Sequence, residues 1–491
     1  MFVMIRKFAL GLAGVLVCAN LIGCNEKTEE VETTATNAAV RSFTLKANDK
    51  VLAHLDSVFF TVDLVKGTIF NADSMPYGTD ITKLVPVITT VEGAGVAELT
   101  VRRSGTSVDT VYDYLTNSSD SIDFTNPVKL RLVSPDGRTE RNYTINVNVH
   151  KVAADSLMWA QADRRTLPSK FAYPTKQHTV KMEDHLFCLT EYQSQWSMAL
   201  LNADLAAVTG SSPDLGLWST WLVDFGFTPN VQSFSATNSA LYILDTAGNL
   251  YTSTDLGSTW ASTGLNWHAV YGSYGNQLLG SVKVGNDWKV QSYPDGALVS
   301  LPDGMPVSGM SVPVEYTFSM SNQPQILMVG GRCADGTLSD QVWGYDGKSW
   351  ARVSRKPLPV ALEYAAVAPY ITYEVNSGWP GEDRASMYVF GGRKSDGSIS
   401  KTVYVSNDYG NTWSEGGSYL QLPDYIPAMY DSQVFSIAQT LKADAQIKVS
   451  RPVESWNCTY IYMYGGVNAS GQTSNNVWRG VINRLSFKPI I

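Results

Sequence analysis

The side chains able to carry chemistry are few and scattered. Of five histidines, His54 and His150 fall in the first third, which leaves His178, His185 and His268. None joins a His-Glu-x-x-His, a Cys-x-x-Cys or a carboxylate-rich loop, the spacings that gather donors around one ion. No metal and no cofactor is therefore expected. His185 beside Asp184 reads as a surface pair at a strand end rather than as a base. Cys18 and Cys24 belong to the N-terminal leader, and the odd remainder, Cys188, Cys333 and Cys458, cannot build a complete disulfide framework. Three buried free thiols are expected, with one bridge plus a free thiol as the alternative. No nucleophile can be matched to a base, so no catalytic residue is named. What stands out is two long insertions. Residues 372–386 carry Tyr373, Trp379, Glu382 and Asp383; residues 441–457 carry Lys448, Arg451, Glu454 and Trp456. Long loops on a rigid scaffold are where binding concentrates, and aromatic planes beside carboxylates and arginine suit a sugar or a peptide. The candidate ligand-binding residues are Tyr373, Trp379, Glu382, Asp383, Arg451 and Trp456. The competing reading is that the two loops only cover the scaffold and pack on the preceding domain.

The elements that must hold these loops are written three times over. Val329-Gly330-Gly331, Phe390-Gly391-Gly392 and Tyr464-Gly465-Gly466 each close an apolar run, and Trp343, Tyr404 and Trp478 follow twelve residues after the second glycine. A turn pair (Asp335-Gly336, Asp396-Gly397, Ser470-Gly471) and a serine (Ser339, Ser400, Ser474) keep the same register. Short apolar runs closed by glycines predict buried strands, and Asp-Gly or Ser-Gly predicts the hairpin to the next. One such sheet cannot bury both its faces, so several must pack radially. The pattern resembles the kelch repeat of β-propellers. Residues 253–260 and 406–413 share S-x-D-x-G-x-T-W, which resembles the Asp-box of sialidase-like propellers; the motif itself is a structural turn rather than a sialidase site. Galactose-oxidase-like kelch enzymes need copper ligands and a Cys–Tyr cofactor, and no matching set is present. Sialidases need three arginines; Arg332 and Arg393 follow their glycine pairs, but Val467 stands in the third place.

Taken in order, residues 1–23 join a basic start, Arg6 and Lys7, to a short apolar run that reads as an export signal. Leu21-Ile22-Gly23-Cys24 resembles a bacterial lipobox, which implies cleavage before Cys24, acylation of its thiol and a membrane partner through that anchor. Loss of Arg6 and Lys7 takes the net charge from −8 to −10. Residues 24–39 are expected to be a flexible tether. Glu26-Lys27-Thr28-Glu29-Glu30 resembles the acidic sequences that send Bacteroidetes lipoproteins to the cell surface. Residues 40–151 alternate in short strands, with Ser57 to Val65 one candidate and Ala97 to Arg103 another. The clearest hairpin pairs 128–133 with 138–149 across Ser134-Pro135-Asp136-Gly137, with Tyr143, Ile145, Val147 and Val149 on one face. Its ending resembles the last hairpin of bacterial Ig-like domains.

Residues 152–491 are expected to form a six-bladed propeller. Trp159 to Pro168 reads like Trp350 to Pro359, so the strand around Trp159 should be an outer strand that pairs with the last blade, beside Trp478, and removes an exposed edge. The fold class is thus all-β: an Ig-like β-sandwich followed by a six-bladed β-propeller. The 39 glycines, 25 tyrosines and 13 tryptophans fit turn-rich sheets, and the mild acidity argues against nucleic acid as a partner. The whole resembles a group of uncharacterised Bacteroidetes lipoproteins. This implies the fold and an address in the bacterial outer membrane, periplasmic or surface-exposed, but no established activity. The expected function is that of a monomeric, lipid-anchored, non-catalytic binding or scaffold protein for a glycan or a partner protein. A carbohydrate-active enzyme, a sialidase-like hydrolase or kelch-type sugar epimerase, is the alternative.

Overall fold

The computed structural model describes residues 35–151, 153, 155–161, 164–201, 218–318, 323–374, 382–442 and 455–483. The signal, Cys24 and most of the tether lie outside them, as do Trp379 and Arg451. The described part is all-β, with short 3-10 turns and no α-helix among the described residues. No helix there is long and apolar enough to cross a membrane. The chain divides into two compact units, Met1–His150 and Lys151–Ile491.

In the first unit, a two-stranded sheet (Val40–Leu45 with Pro86–Thr90) and a six-stranded sheet share one core. The larger sheet runs Thr61–Asp63, Thr68–Phe70, Glu140–Asn146, Val128–Val133, Val96–Arg102, Asp109–Asp113, with its second and third strands parallel. Alternation decides the faces: Val128, Leu130 and Leu132 are fully buried, while Lys129 and Arg131 point to water. Across the predicted turn, Val133 pairs with Glu140, and Tyr143 and Ile145 join the core. Two expectations need correction. Ser57 to Val65, expected as one strand, contributes only Thr61–Asp63, because Leu55–Ser57 turns as a 3-10 helix. The tether also ends before Ala39: Glu92 accepts hydrogen bonds from the amides of Thr36 and Asn37, and Ala38 and Ala39 are buried.

In the second unit, six sheets follow one another along the described chain. The first is Lys176–Met182, His185–Tyr192, Gln195–Leu201 and Trp218–Val223. The second and third begin at Pro229–Ala236 and Ala269–Tyr274, the fourth and fifth at Val314–Phe318 and Ala366–Glu374. Each is four antiparallel strands in chain order. The sixth, Tyr430–Lys442, Ser455–Val467 and Asn476–Asn483, takes its outer strand from far away in sequence: Ser156–Trp159 pairs with it, Trp159 opposite Gly480, as the recurrence around Trp159 predicts. The indole needs that glycine, since a Cβ at Gly480 would lie 2.9 Å from the Trp159 ring. Apolar clusters fill the spaces between successive sheets; Leu327, Val342, Met387, Val389 and Trp413 join the fourth to the fifth.

The repeated glycines are explained by those spaces. Gly391 sits at φ 64, and a Cβ there would be 2.0 Å from the Met429 carbonyl oxygen, which instead accepts the Gly392 amide at 3.1 Å. Gly330 does the same for Leu362. These two pairs are thus sockets for the backbone that opens the next sheet. The Asp-box turns work as side-chain-braced loops: Ser253 donates to Asp255 at 2.8 Å and Asp255 takes the Thr259 amide at 2.9 Å, with Ser406, Asp408 and Thr412 repeating the pattern. Hydrogen bonds from Thr259 hold the Asp255 carboxyl down at about 2. Trp413 is buried, whereas Trp260 is half-buried.

Cys188, Cys333 and Cys458 are free, but only Cys188 is buried; the other two are half-buried, Cys333 in the turn after Gly330-Gly331 and Cys458 within Ser455–Val467, opposite Gln439.

Candidate functional site

The segments expected as long loops are largely hairpin. Strand pairing continues from Ala366 to Glu374 and back from Glu382 to Phe390, so that Tyr373 stands opposite Asp383. In the sixth sheet Leu441 stands opposite Trp456. β-rich sequence around Tyr370, Ile371 and Tyr373 extends the ladder where the sequence reading placed irregular chain. Tyr373, Glu382, Asp383 and Trp456 therefore occupy the far ends of two extended ribbons, Tyr373 and Asp383 as direct cross-strand neighbours. Trp379 and Arg451 fall outside the described residues.

The opposite reaches of the same strands build something the sequence reading missed. A cavity of about 670 Å³ is lined from the first strand of all six sheets or the turn leading into it, by His178, Gln232, Tyr271, Glu315, Tyr364 and Asp431 among others. Three of the turns share one backbone device. Gly309, Tyr364 and Asp431 all take positive φ (67, 52 and 57). The Tyr364 amide donates to the Gly309 carbonyl at 2.7 Å, and the Asp431 amide to the Tyr364 carbonyl at 2.8 Å. A relay of main-chain hydrogen bonds thus steps from the fourth sheet to the sixth.

At the seam where the sixth sheet meets the first, side chains take over. The Gln433 amide group donates to the Asp431 carbonyl at 2.7 Å, and its oxygen accepts from the Thr179 amide at 3.1 Å and from Gln177 at 2.9 Å. Gln177 in turn fills the socket of the third glycine pair, where a Cβ at Gly465 would strike its amide at 2.2 Å. Buried amide groups that are fully hydrogen-bonded in this way rigidify the junction.

His178 and Asp431 face each other across this seam. His178 Nδ1 lies 3.2 Å from the Gln433 amide nitrogen and 3.8 Å from Asp431 Oδ1, while Gln232 donates to Asp431 Oδ2 at 3.0 Å. Both residues are more than nine-tenths buried. Burial pushes the Asp431 carboxyl up to about 7 and the His178 ring down to about 4. With Nδ1 accepting the Gln433 N–H, the neutral ring carries its proton on Nε2. No signal of spacing could have joined these two residues. The distance from this turn to the following glycine pair differs between sheets with the length of the intervening hairpin, so counting back from the glycines does not land on Asp431.

Arg332 and Arg393 do converge, though on a carboxylate and without a third arginine. Glu363, 2% exposed, accepts Arg332 Nη2 at 2.7 Å and Arg393 Nη2 at 2.7 Å, which pins the fourth sheet to the fifth. The hydrogen bonds that Arg332 donates to Glu363 raise its pKa. Neither arginine lines the cavity. Among the described residues, no group of three or more His, Cys, Asp or Glu could hold a metal ion.

Over 114 residues the chain is 32% identical to the tRNA wybutosine-synthesizing protein 4 of Aspergillus fumigatus, which covers 23% of this chain; the chain spans about a tenth of that curated relative's length. Among solved structures, YjhT aligns at 12% identity with TM-score 0.26, covering 66% of this chain and 98% of that one. The N-terminal domain of Nup159 aligns at 11% identity with TM-score 0.30, covering 68% and 98%. The profile of the DUF6242 N-terminal domain, a domain of unknown function, matches residues 28–147, and that of the DUF6242 β-propeller domain matches residues 153–490. The chain therefore belongs to the DUF6242 family and carries its β-propeller.

Proposed function

We propose that this is a lipid-anchored binding protein of the bacterial cell envelope, in which an Ig-like domain carries a six-bladed, non-catalytic propeller that captures a glycan in its axial cavity. The observation that supports it is the lining of that cavity. Hydroxyl and amide side chains such as Asn230, Gln232, Ser235, Ser273 and Ser311 line it together with Tyr271 and Tyr364. Neutral donors and acceptors together with aromatic residues suit a polyhydroxylated ligand, and pockets of this size are ordinary small-molecule sites. The ribbon ends bearing Tyr373, Trp379, Glu382, Asp383, Arg451 and Trp456 are a second contact zone; Tyr373 lies four residues past Pro369, about 13 Å along an extended strand. Acylation of Cys24 supplies the anchor in this reading.

The test is a glycan array with the soluble chain beginning after Cys24, followed by calorimetry on the hits. Ser273→Trp, which fills the cavity, should abolish binding, while Trp379→Ala with Trp456→Ala should weaken it only if the ribbons take part. Equal binding by wild type and Ser273→Trp removes the cavity from the reading. The proximity of His178 and Asp431 favours, as the second reading, a carbohydrate-active enzyme; turnover of an array hit that is lost in His178→Gln would establish it.

A further inference from the structure

Asp431 is a buried carboxyl surrounded by neutral groups. Oδ2 takes the Gln232 amide; Oδ1 accepts only a long 3.5 Å contact from the Gln433 amide nitrogen and faces His178 Nδ1 at 3.8 Å, itself engaged by Gln433. Among the described residues no lysine or arginine lies within ion-pair distance of it. Arg332 and Arg393, which act electrostatically on Tyr364 as Asp431 does, are both bound to Glu363. The cavity as a whole repeats this imbalance: Glu183, Glu315 and Asp431 line it against Lys181 alone, with His178 and His268 as its other titratable groups besides tyrosine. An ionised carboxylate without a counter-charge is costly to bury. A ligand that carries its own positive charge removes that cost, and the cavity gives it room to reach Oδ1.

We propose that the axial cavity selects ligands bearing a protonated primary amine, whose N–H groups bind Asp431 at the seam between the first and last sheets, with Gln232 and His178 framing the amine. This rests on the reading of the cavity as a ligand site. The step balances simply: the protonated carboxyl of the empty site releases its proton to solvent as the ammonium docks, and no bond to carbon changes. An amino sugar and a lysine side chain present the same group, so the source is settled by experiment.

Calorimetry on the full mature chain at pH 7 provides two arms. One compares a β-1,4 glucosamine disaccharide with its di-N-acetyl form; the other compares Nα-acetyl-lysine amide with its Nε-acetylated form. In one arm the free amine should bind about 30-fold or more tightly than the acetylated probe, the loss expected when one partner of a buried charge pair is removed. The other arm should show no preference. Asp431→Asn should erase the preference, and wild-type affinity in the preferred arm should rise from pH 6 to pH 7, with proton release seen as a dependence of the heat on buffer ionisation. Asparagine tolerates the left-handed backbone of position 431, so the variant should fold, and its melting temperature verifies that. Two results overturn the inference: acetylated probes bind as tightly as free amines in both arms, or no probe binds. If acetylated and free forms bind alike and Ser273→Trp still abolishes both, the amine inference falls while the cavity remains the binding site.

Discussion

The pair at the seam makes a prediction about stability that separates its two members. Folded, with the carboxyl raised to about 7 and the ring lowered to about 4, the pair holds one proton between pH 4 and 6.5, on Asp431. Unfolded, with ordinary values of 3.8 and 6.5, it also holds one proton there, on the histidine. Proton uptake on unfolding is therefore zero for the pair, and it contributes no slope to stability over that window. Substitution breaks the balance. In Asp431→Asn only His178 remains: its depressed folded pKa means the unfolded state binds a proton first as pH falls, so stability is lost below 6.5. The slope is about 1.4 kcal/mol per pH unit, reaching about 3 kcal/mol by pH 4. In His178→Gln only Asp431 remains. Its raised folded pKa gives stability that is full below 3.8 and is lost as pH rises towards 7, about 4 kcal/mol in all. Urea unfolding of the three proteins at half-unit steps from pH 4 to 7.5 measures this, and differences from wild type remove the contributions of every other group. Parallel curves for wild type and Asp431→Asn between pH 4.5 and 6.5 would refute the burial of His178 as a neutral ring.

Other expectations concern the scaffold. Gly391→Ala drives a Cβ into the Met429 carbonyl and should cost roughly 3 kcal/mol or more, whereas Gly397→Ala, at φ 81 in open space, should cost about 1 kcal/mol, both read from urea midpoints. Gln433→Leu leaves the buried Thr179 amide without its acceptor and should lower stability by about 1–3 kcal/mol. Burial pushes the Cys188 thiol up to about 12, so in the native protein a thiol reagent should modify Cys333 and Cys458 while Cys188 stays unmodified until urea is added.

The scaffold was legible because its demands are local. A glycine pair that must admit a neighbour's carbonyl, an Asp-box that braces its own turn and a Trp159 segment that copies Trp350 all leave marks within a dozen residues. The edge of the tether was misjudged because Ala38 and Ala39 look like spacer and are buried only through contacts with distant strands. The cavity was illegible for a different reason. His178, Gln232, Tyr364 and Asp431 are brought together by radial packing, each from a separate sheet, and no spacing rule connects them. The eye falls instead on the clustered aromatics and charges of 372–386, which are adjacent in sequence but occupy the far end of a ribbon.

The pairing of Trp159 with Gly480 has a consequence for how the chain is made. The strand synthesised first in the propeller waits for the one synthesised nearly last, 321 residues later (480 − 159). Tying ends so far apart costs about 5 kcal/mol in chain entropy, only modestly more than a short link would, yet such distant contacts slow the search. Until translation has passed Asn483, the nascent sheets stand as an open row with a bare margin at each end, and the partly made chain depends on its neighbours keeping off those margins.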